Sequence, residues 1–247
     1  MKFIILVTGW NCKQYILPCF RSLISQGHQN WEAIFLSDGA TDGSGEEINR
    51  VVTDSRCKIH IYDDNVGAAK RRYDALQQYG KKTDIVLLLG MDDELLPGCL
   101  EIILKEYQKG KWMTYGNWKS QSGKMLPKGF LDFDKNTHLT RDYRKVKYRS
   151  TAPNTFFKFL FDKIPAIDFQ LDGKWIDSTT ESEVMFSCLE MCGENRIGII
   201  RTAIYLYNEG LPTGTIKRQG SPYKYAIYNR IITRPKRAYI HPEDYGK

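Results

Sequence analysis

Four short apolar runs, at 3–8, 31–37, 58–62 and 84–89, each end in a loop of polar, acidic or glycine residues. No other feature of the chain restricts its fold as much. The first run has no polar position before Thr8, as expected of a strand buried on both faces. Between the runs, apolar residues recur at helical spacing: Tyr15, Cys19, Leu23 and Ile24, then Ile48, Val51 and Val52 within 43–52. Residues 68–79 read as a third helix. Pro97, Leu100, Ile103 and Leu104 open and line a fourth over 97–107, and 112–117 reads as a further strand. Such alternation builds a mostly parallel sheet with helices on both faces. Ligands of these sheets bind at the carboxyl ends of the strands. The polar loops all fall at that edge: Thr8-Gly9-Trp10-Asn11, Asp38-Gly39-Ala40-Thr41-Asp42, 63–67, and Asp92-Asp93-Glu94.

The second half is less periodic. Residues 118–150 are polar and basic, with a basic-aromatic run at 141–149. Residues 156–165 are apolar and read as a helix, 181–192 as a helix closed by Gly193, and 197–207 as a last strand. From 208 the chain is polar, rich in Lys, Arg and Tyr, and expected either to dock on the domain or to order with a ligand. The 247 residues suit one large domain with an appendage: 1–207 as the domain, split into 1–117 and 118–207, and 208–247 as an extension.

Hydrophobic residues make up 42% and charged residues 26%, enough apolar material for a core within an ordinary globular composition. No apolar run approaches the roughly 20 residues that span a bilayer. The apolar start is too short for a signal peptide and lacks a small-residue cleavage site. The expected location is cytoplasmic, with peripheral contact at the inner membrane face as a variant. The six cysteines and four histidines show no zinc-ligand spacing. The net charge of +7 suits a phosphate-bearing ligand, nucleic acid or an anionic membrane, without choosing among them.

The three adjacent acids Asp92, Asp93 and Glu94 follow directly on a buried strand. Neighbouring carboxylates repel, and a cation or solvent relieves them. Mg²⁺ or Mn²⁺ can hold carboxylates on one side and diphosphate oxygens on the other. Asp93 is the first candidate for metal ligand, and Asp92 faces the ribose or the metal's water shell. Glu94 is expected to cap the next helix. Asn11 and Asp42 are placed as caps of the helices that follow them.

These motifs together resemble the nucleotide-sugar-binding half of inverting family 2 glycosyltransferases of the GT-A fold. The resemblance covers residues 3–97. It rests on Thr8-Gly9-Trp10-Asn11 after the first strand, Arg21-Ser22-Leu23-Ile24-Ser25-Gln26-Gly27, and Ser37-Asp38-Gly39-Ala40-Thr41-Asp42-Gly43-Ser44. It continues through Asn65-Val66-Gly67 with Arg71 and Arg72, and Asp92-Asp93-Glu94-Leu95-Leu96-Pro97. It implies an α/β fold with a mostly parallel sheet flanked by helices, and a metal-assisted hexosyl transfer from a nucleotide-sugar, foremost a UDP-sugar, with inversion. Thr8 and Asp38 would contact the base, Asn65 and Arg72 the donor, with Arg71 in reserve. The resemblance places the general base at Glu181, with Asp177 and Glu183 as rivals. Lys217 and Arg218 would close over the diphosphate. The acceptor is left open: a glycan, a lipid-linked sugar, another hydroxyl-bearing molecule or a polyanion. No stable protein partner is indicated. Two other readings stand beside this one. A sugar nucleotidyltransferase would carry a Gly-rich basic signature that residues 8–13 lack. A non-catalytic nucleotide- or nucleic-acid-binding module would use the basic-aromatic runs at 143–149 and 223–239.

Overall fold

The computed structural model of the protein describes residues 1–209 and 215–245, with the side chains of 215–221 outside that description. The first half alternates as its apolar periodicity dictates: β1 (Phe3–Gly9), α1 (Ile16–Ile24), β2 (Trp31–Asp38), α2 (Ser44–Val51), β3 (Cys57–Tyr62), α3 (Ala68–Gln78) and β4 (Ile85–Gly90). Then come β5 (Glu94–Leu95), α4 (Cys99–Gln108), β6 (Met113–Ser120), α5 (Lys135–Thr140), β7 (Asn154–Phe157) and α6 (Lys158–Phe161). A small hairpin of β8 (Gln170–Leu171) and β9 (Lys174–Trp175) precedes α7 (Thr180–Cys192), β10 (Ile197–Tyr207) and α8 (Thr215–Ile232).

Eight strands form one sheet in the order β3-β2-β1-β4-β7-β6-β10-β5. β2 and β4 flank β1 in parallel, and β10 lies parallel to β6. β7 is antiparallel to both β4 and β6, so those two run the same way. The architecture is therefore the expected α/β one, a mostly parallel sheet between helices. Phe3 to Val7 and Ile85 to Leu87 are wholly buried, which is why these segments carry no polar residue. Burying each Leu or Ile stabilises by about 1.5–3 kcal/mol, so a Leu6→Ala cavity would cost about 2–5 kcal/mol.

Three expectations are corrected here. Of the helix expected over 156–165, residues 156 and 157 belong instead to strand β7, and only the short α6 follows. The run is apolar because β7 is buried between β4 and β6, and a continuous apolar run does not separate a buried strand from a buried helix. Glu94 does not cap α4, which starts at Cys99; it pairs with Leu206 in the β5–β10 ladder. Asn11 does not cap α1 either. It adopts a left-handed backbone, φ 51°, and its side-chain oxygen accepts from Thr41 N at 2.7 Å. Asp42 does serve the start of α2, accepting from Ser44 N at 2.9 Å.

The described part of the extension docks on the domain. Ile227 and Ile231 are buried, and the chain beyond α8 is tied down by ion pairs to α7. No helix among the described residues is long and apolar enough to cross a membrane.

Candidate active site

The carboxyl ends of the parallel strands open into a cleft of about 620 Å³. Thr8, Arg72, Asp92, Asp93 and Glu181 all line it, though they come from β1, α3, the β4–β5 turn and α7. Register explains the first contacts. Thr8 is paired with Gly90, and Met91 N donates to Thr8 O at 3.0 Å, so the turn bearing the acids sits against the end of β1. Gly90 itself is required by space. A Cβ there would lie 2.7 Å from Asp92 Oδ1 and 2.8 Å from Asp93 Oδ2. The two carboxylates thus converge over a residue with no side chain, and an aspartate at position 90 would not fit.

Asp93 is buried, and both its oxygens are held. Tyr205 Oη donates to Oδ2 at 2.7 Å, and Asn208 N donates to Oδ1 at 2.8 Å. Burial pushes its carboxyl well above the usual aspartate value. The charge of Asp92 adds to this, and the two hydrogen bonds oppose it. Asp92 is raised too, chiefly by burial, with Arg72 acting against it. A divalent cation relieves such a pair, and each oxygen of Asp93 has a lone pair left after its hydrogen bond. Among the described residues no group of three or more His, Cys, Asp or Glu forms a metal cage. Asp92 and Asp93 could therefore hold a divalent cation only with its other ligands supplied from outside these side chains. Neither Tyr205 nor Asn208 was legible as a site residue, because each lies more than a hundred positions from Asp93 with no local motif.

Arg72 crosses the cleft floor. Its Nε donates to Thr8 Oγ1 at 3.2 Å, its Nη1 to Thr180 Oγ1 at 3.1 Å, and Nη1 also pairs with Glu181. Glu181 is 37% exposed and Arg72 10%, so the carboxylate opens to the cleft while the guanidinium supports it from below. Burial alone would raise the Glu181 carboxyl, but the charge and hydrogen bond of Arg72 bring it below the usual glutamate value. Asp177 also lines the cleft. Gly67, at φ +95°, lets the 65–67 loop pass under it, since a Cβ there would lie 2.7 Å from Asp177 Cβ. Glu183 does not reach the cleft. It is wholly buried on the other side of α7, paired with Arg144 and Arg234. Of the two rivals for the base, Asp177 lines the cleft and Glu183 does not.

Asp38 and Asn65 lie outside the cleft lining. Asp38 Oδ1 accepts from Arg71 Nε at 2.7 Å and from Val66 N at 3.1 Å, and Oδ2 from Gly67 N at 2.8 Å. Asn65 Nδ2 donates to Asp38 O at 2.7 Å. Arg71, also paired with Asp64 and stacked on Tyr62, belongs to this cluster and not to the cleft. The basic triplet at 70–72 is thus divided: Lys70 pairs with Asp74, Arg71 with Asp38, and Arg72 with Glu181. The side chains of Lys217 and Arg218, which carry that expectation, lie outside the described part of the structure. The basic-aromatic run at 143–149 points largely inward. Tyr143 and Arg144 are buried, and Arg144 bonds to Glu183, Glu190 and Ile231 O.

The family model for glycosyl transferase family 2 matches residues 4–165. The chain is 31% identical over 108 residues to a teichoic acid poly(glycerol phosphate) polymerase of Staphylococcus epidermidis, covering 43% of this chain and 15% of that one. It is 28% identical over 159 residues to an uncharacterized glycosyltransferase of Haemophilus influenzae, covering 63% and 59%. Among solved structures, S. aureus TarS 1-349 in complex with UDP-GlcNAc superposes with a TM-score of 0.71 at 18% identity, covering 94% of this chain and 65% of that one. The fold is the one this solved structure shares. The chain belongs to glycosyl transferase family 2. It spans less than two thirds of the length of each of these relatives.

Proposed function

We propose that the chain transfers a sugar from a nucleotide-diphosphate donor, foremost a UDP-sugar, to an acceptor hydroxyl with inversion and with help from Mg²⁺ or Mn²⁺. The observation that carries this reading is the convergence of Thr8, Arg72, Asp92, Asp93 and Glu181, from four parts of the chain, on one cleft. The UDP and UDP-GlcNAc complexes of the TarS structures support the choice of donor. Asp38 Oδ2, with one donor in the protein, keeps a lone pair for a base N–H, and Asn65 fixes the loop beside it.

Asp93 and Asp92 would hold the cation, which supplies charge neutralisation for the departing diphosphate. Tyr205 and Asn208 fix the Asp93 carboxylate in one orientation. Glu181, kept ionised by Arg72, takes the proton from the acceptor hydroxyl as that oxygen attacks the anomeric carbon. Attack comes from the face opposite the nucleotide, so configuration inverts. The test is a thermal-shift screen of nucleoside diphosphates with and without Mn²⁺, followed by product analysis with the sugar-nucleotide that binds. A rise in melting temperature with UDP that needs both Mn²⁺ and Asp93 is expected. No rise with any nucleotide sinks the reading.

A further inference from the structure

The cleft has two ends with different chemistry. The strand order puts β2, β1 and β4 on one side of the Asp92–Asp93 turn and β7, β6 and β10 on the other. Thr8 and Arg72 line the first side, which the proposed function gives to the donor. The second side carries a pair of aromatic rings. Trp118 on β6 and Tyr207 on β10 lie with centroids 5.3 Å apart and planes tilted by 52°, and both line the cleft. Tyr207 is 41% exposed.

The wall beside these rings is made of hydroxyls. Thr151 Oγ1 donates to Gly116 O at 2.7 Å, which lays the 150–152 segment along β6 two residues from Trp118. Ser150 lines the cleft with its Oγ buried and without a hydrogen-bond partner. Against a chain charge of +7, the described lining carries only one cation, Arg72, and four carboxylates, Asp92, Asp93, Asp177 and Glu181. A phosphate-bearing chain entering from this side would meet repulsion. A pyranose would meet a ring face for its C–H groups and hydroxyls for its own.

We infer that Trp118 and Tyr207 form the platform of an acceptor subsite for an uncharged pyranose, and that polyanionic acceptors are excluded from it. This rests on the proposed transfer reaction and specifies the acceptor of the same site.

The test uses the full chain with UDP and Mn²⁺ present, and saturation-transfer NMR against methyl glucoside, methyl galactoside, N-acetylglucosamine and their disaccharides. A glycerol-phosphate oligomer serves as the polyanionic probe. At least one neutral sugar should bind, with a half-saturation concentration at least about ten-fold higher in Trp118→Ala and largely restored in Trp118→Phe, as stacking on an aromatic face predicts. The glycerol-phosphate oligomer should bind more weakly than that sugar. The melting-temperature rise with UDP should survive in Trp118→Ala. The subsite is overturned if no neutral sugar binds, if Trp118→Ala leaves sugar binding unchanged, or if the glycerol-phosphate oligomer binds best. A UDP shift retained alongside any of these results confines the failure to the acceptor assignment. If UDP gives no shift in the wild type, the underlying reaction fails with it.

Discussion

Arg72 and Glu181 form an ion pair that joins the donor side of the sheet to the first turn of α7, and Thr8 and Thr180 hold the same guanidinium in place. Burial disfavours the Glu181 anion, but Arg72 more than compensates and lowers the carboxyl from its ordinary 4.5. The fold therefore gains stability from this group above pH 4.5 and loses it as the pH falls through the lowered value. In Arg72→Gln the largest effect opposing burial is lost and only the hydrogen bonds from Thr180 and the backbone remain, so the carboxyl should titrate at higher pH. The acid limb of the kcat/KM profile should move up with it. An unmoved limb would show that Glu181 is not the titrating base.

Glu181 and Glu183 are two residues apart on α7 but have separate fates. Glu181→Gln should lose roughly 10²–10⁴ in kcat, the usual contribution of a positioned base, with a smaller loss of stability than Glu183→Ala, because the amide oxygen still accepts from Arg72. Glu183 is wholly buried among Arg144, Arg234 and Ser187. Glu183→Ala would leave those arginines without their carboxylate, at a cost of about 3–5 kcal/mol. Denaturant unfolding and kinetics on the two variants separate the roles. A Glu181→Gln enzyme with wild-type turnover would move the base to Asp177.

Asp93 is held in a position that disfavours its charge. In the metal-free protein, Asp93→Asn removes the repulsion with Asp92, still accepts from Asn208 N through its amide oxygen, and can donate from Nδ2 to Tyr205 Oη in place of accepting from it. Its melting temperature at neutral pH should rise by a few degrees while transfer activity is lost. In the wild type the folded state favours the protonated form, so this group's contribution to stability falls as pH rises from the ordinary 3.8 towards the raised value. Mn²⁺ should stabilise the wild type and leave Asp93→Asn nearly unchanged. Equal stabilisation of both would remove Asp93 from the metal site.

The parallel half of the fold was legible because its signals are local. Apolar runs, glycines and acids follow one another within a few positions, and β1, β2, β3 and β4 fall within a residue or so of where periodicity puts them. What escaped depends on distant partners. β7 is a strand only because β4 and β6 leave a gap for it. Glu94 reads as a helix-start acid until β10 pairs with it. Arg144 sits in a run that looks like a solvated basic face, but Glu183 and Glu190 wait for it some forty residues on. The cleft-lining residues Asp92, Asp93, Thr8 and Arg72 could be picked out from their motifs. The orientation of Asp93 by Tyr205 could not, since a tyrosine near the end of a strand carries no mark of the carboxylate it meets.

Asp38 makes the sharpest division between a binding and a scaffolding role. Its carboxylate is buried and accepts from Arg71, Val66 N and Gly67 N, so it ties the end of β2 to the loop that starts α3. Arg71 is itself buried, and its other ionic partner, Asp64, is largely exposed. Asp38→Ala would leave a buried guanidinium and two backbone N–H groups without their acceptor, costing about 3–5 kcal/mol. Asp38→Asn keeps one acceptor oxygen and should cost less, about 1–3 kcal/mol. If Asp38 also accepts a hydrogen bond from the base, both variants should weaken UDP binding by more than their loss of stability produces. The measurement is UDP affinity well below the melting temperature, where each variant is fully folded. Unchanged affinity in folded Asp38→Asn would make Asp38 a structural residue alone and leave recognition of the base to Thr8 and the backbone of the loops.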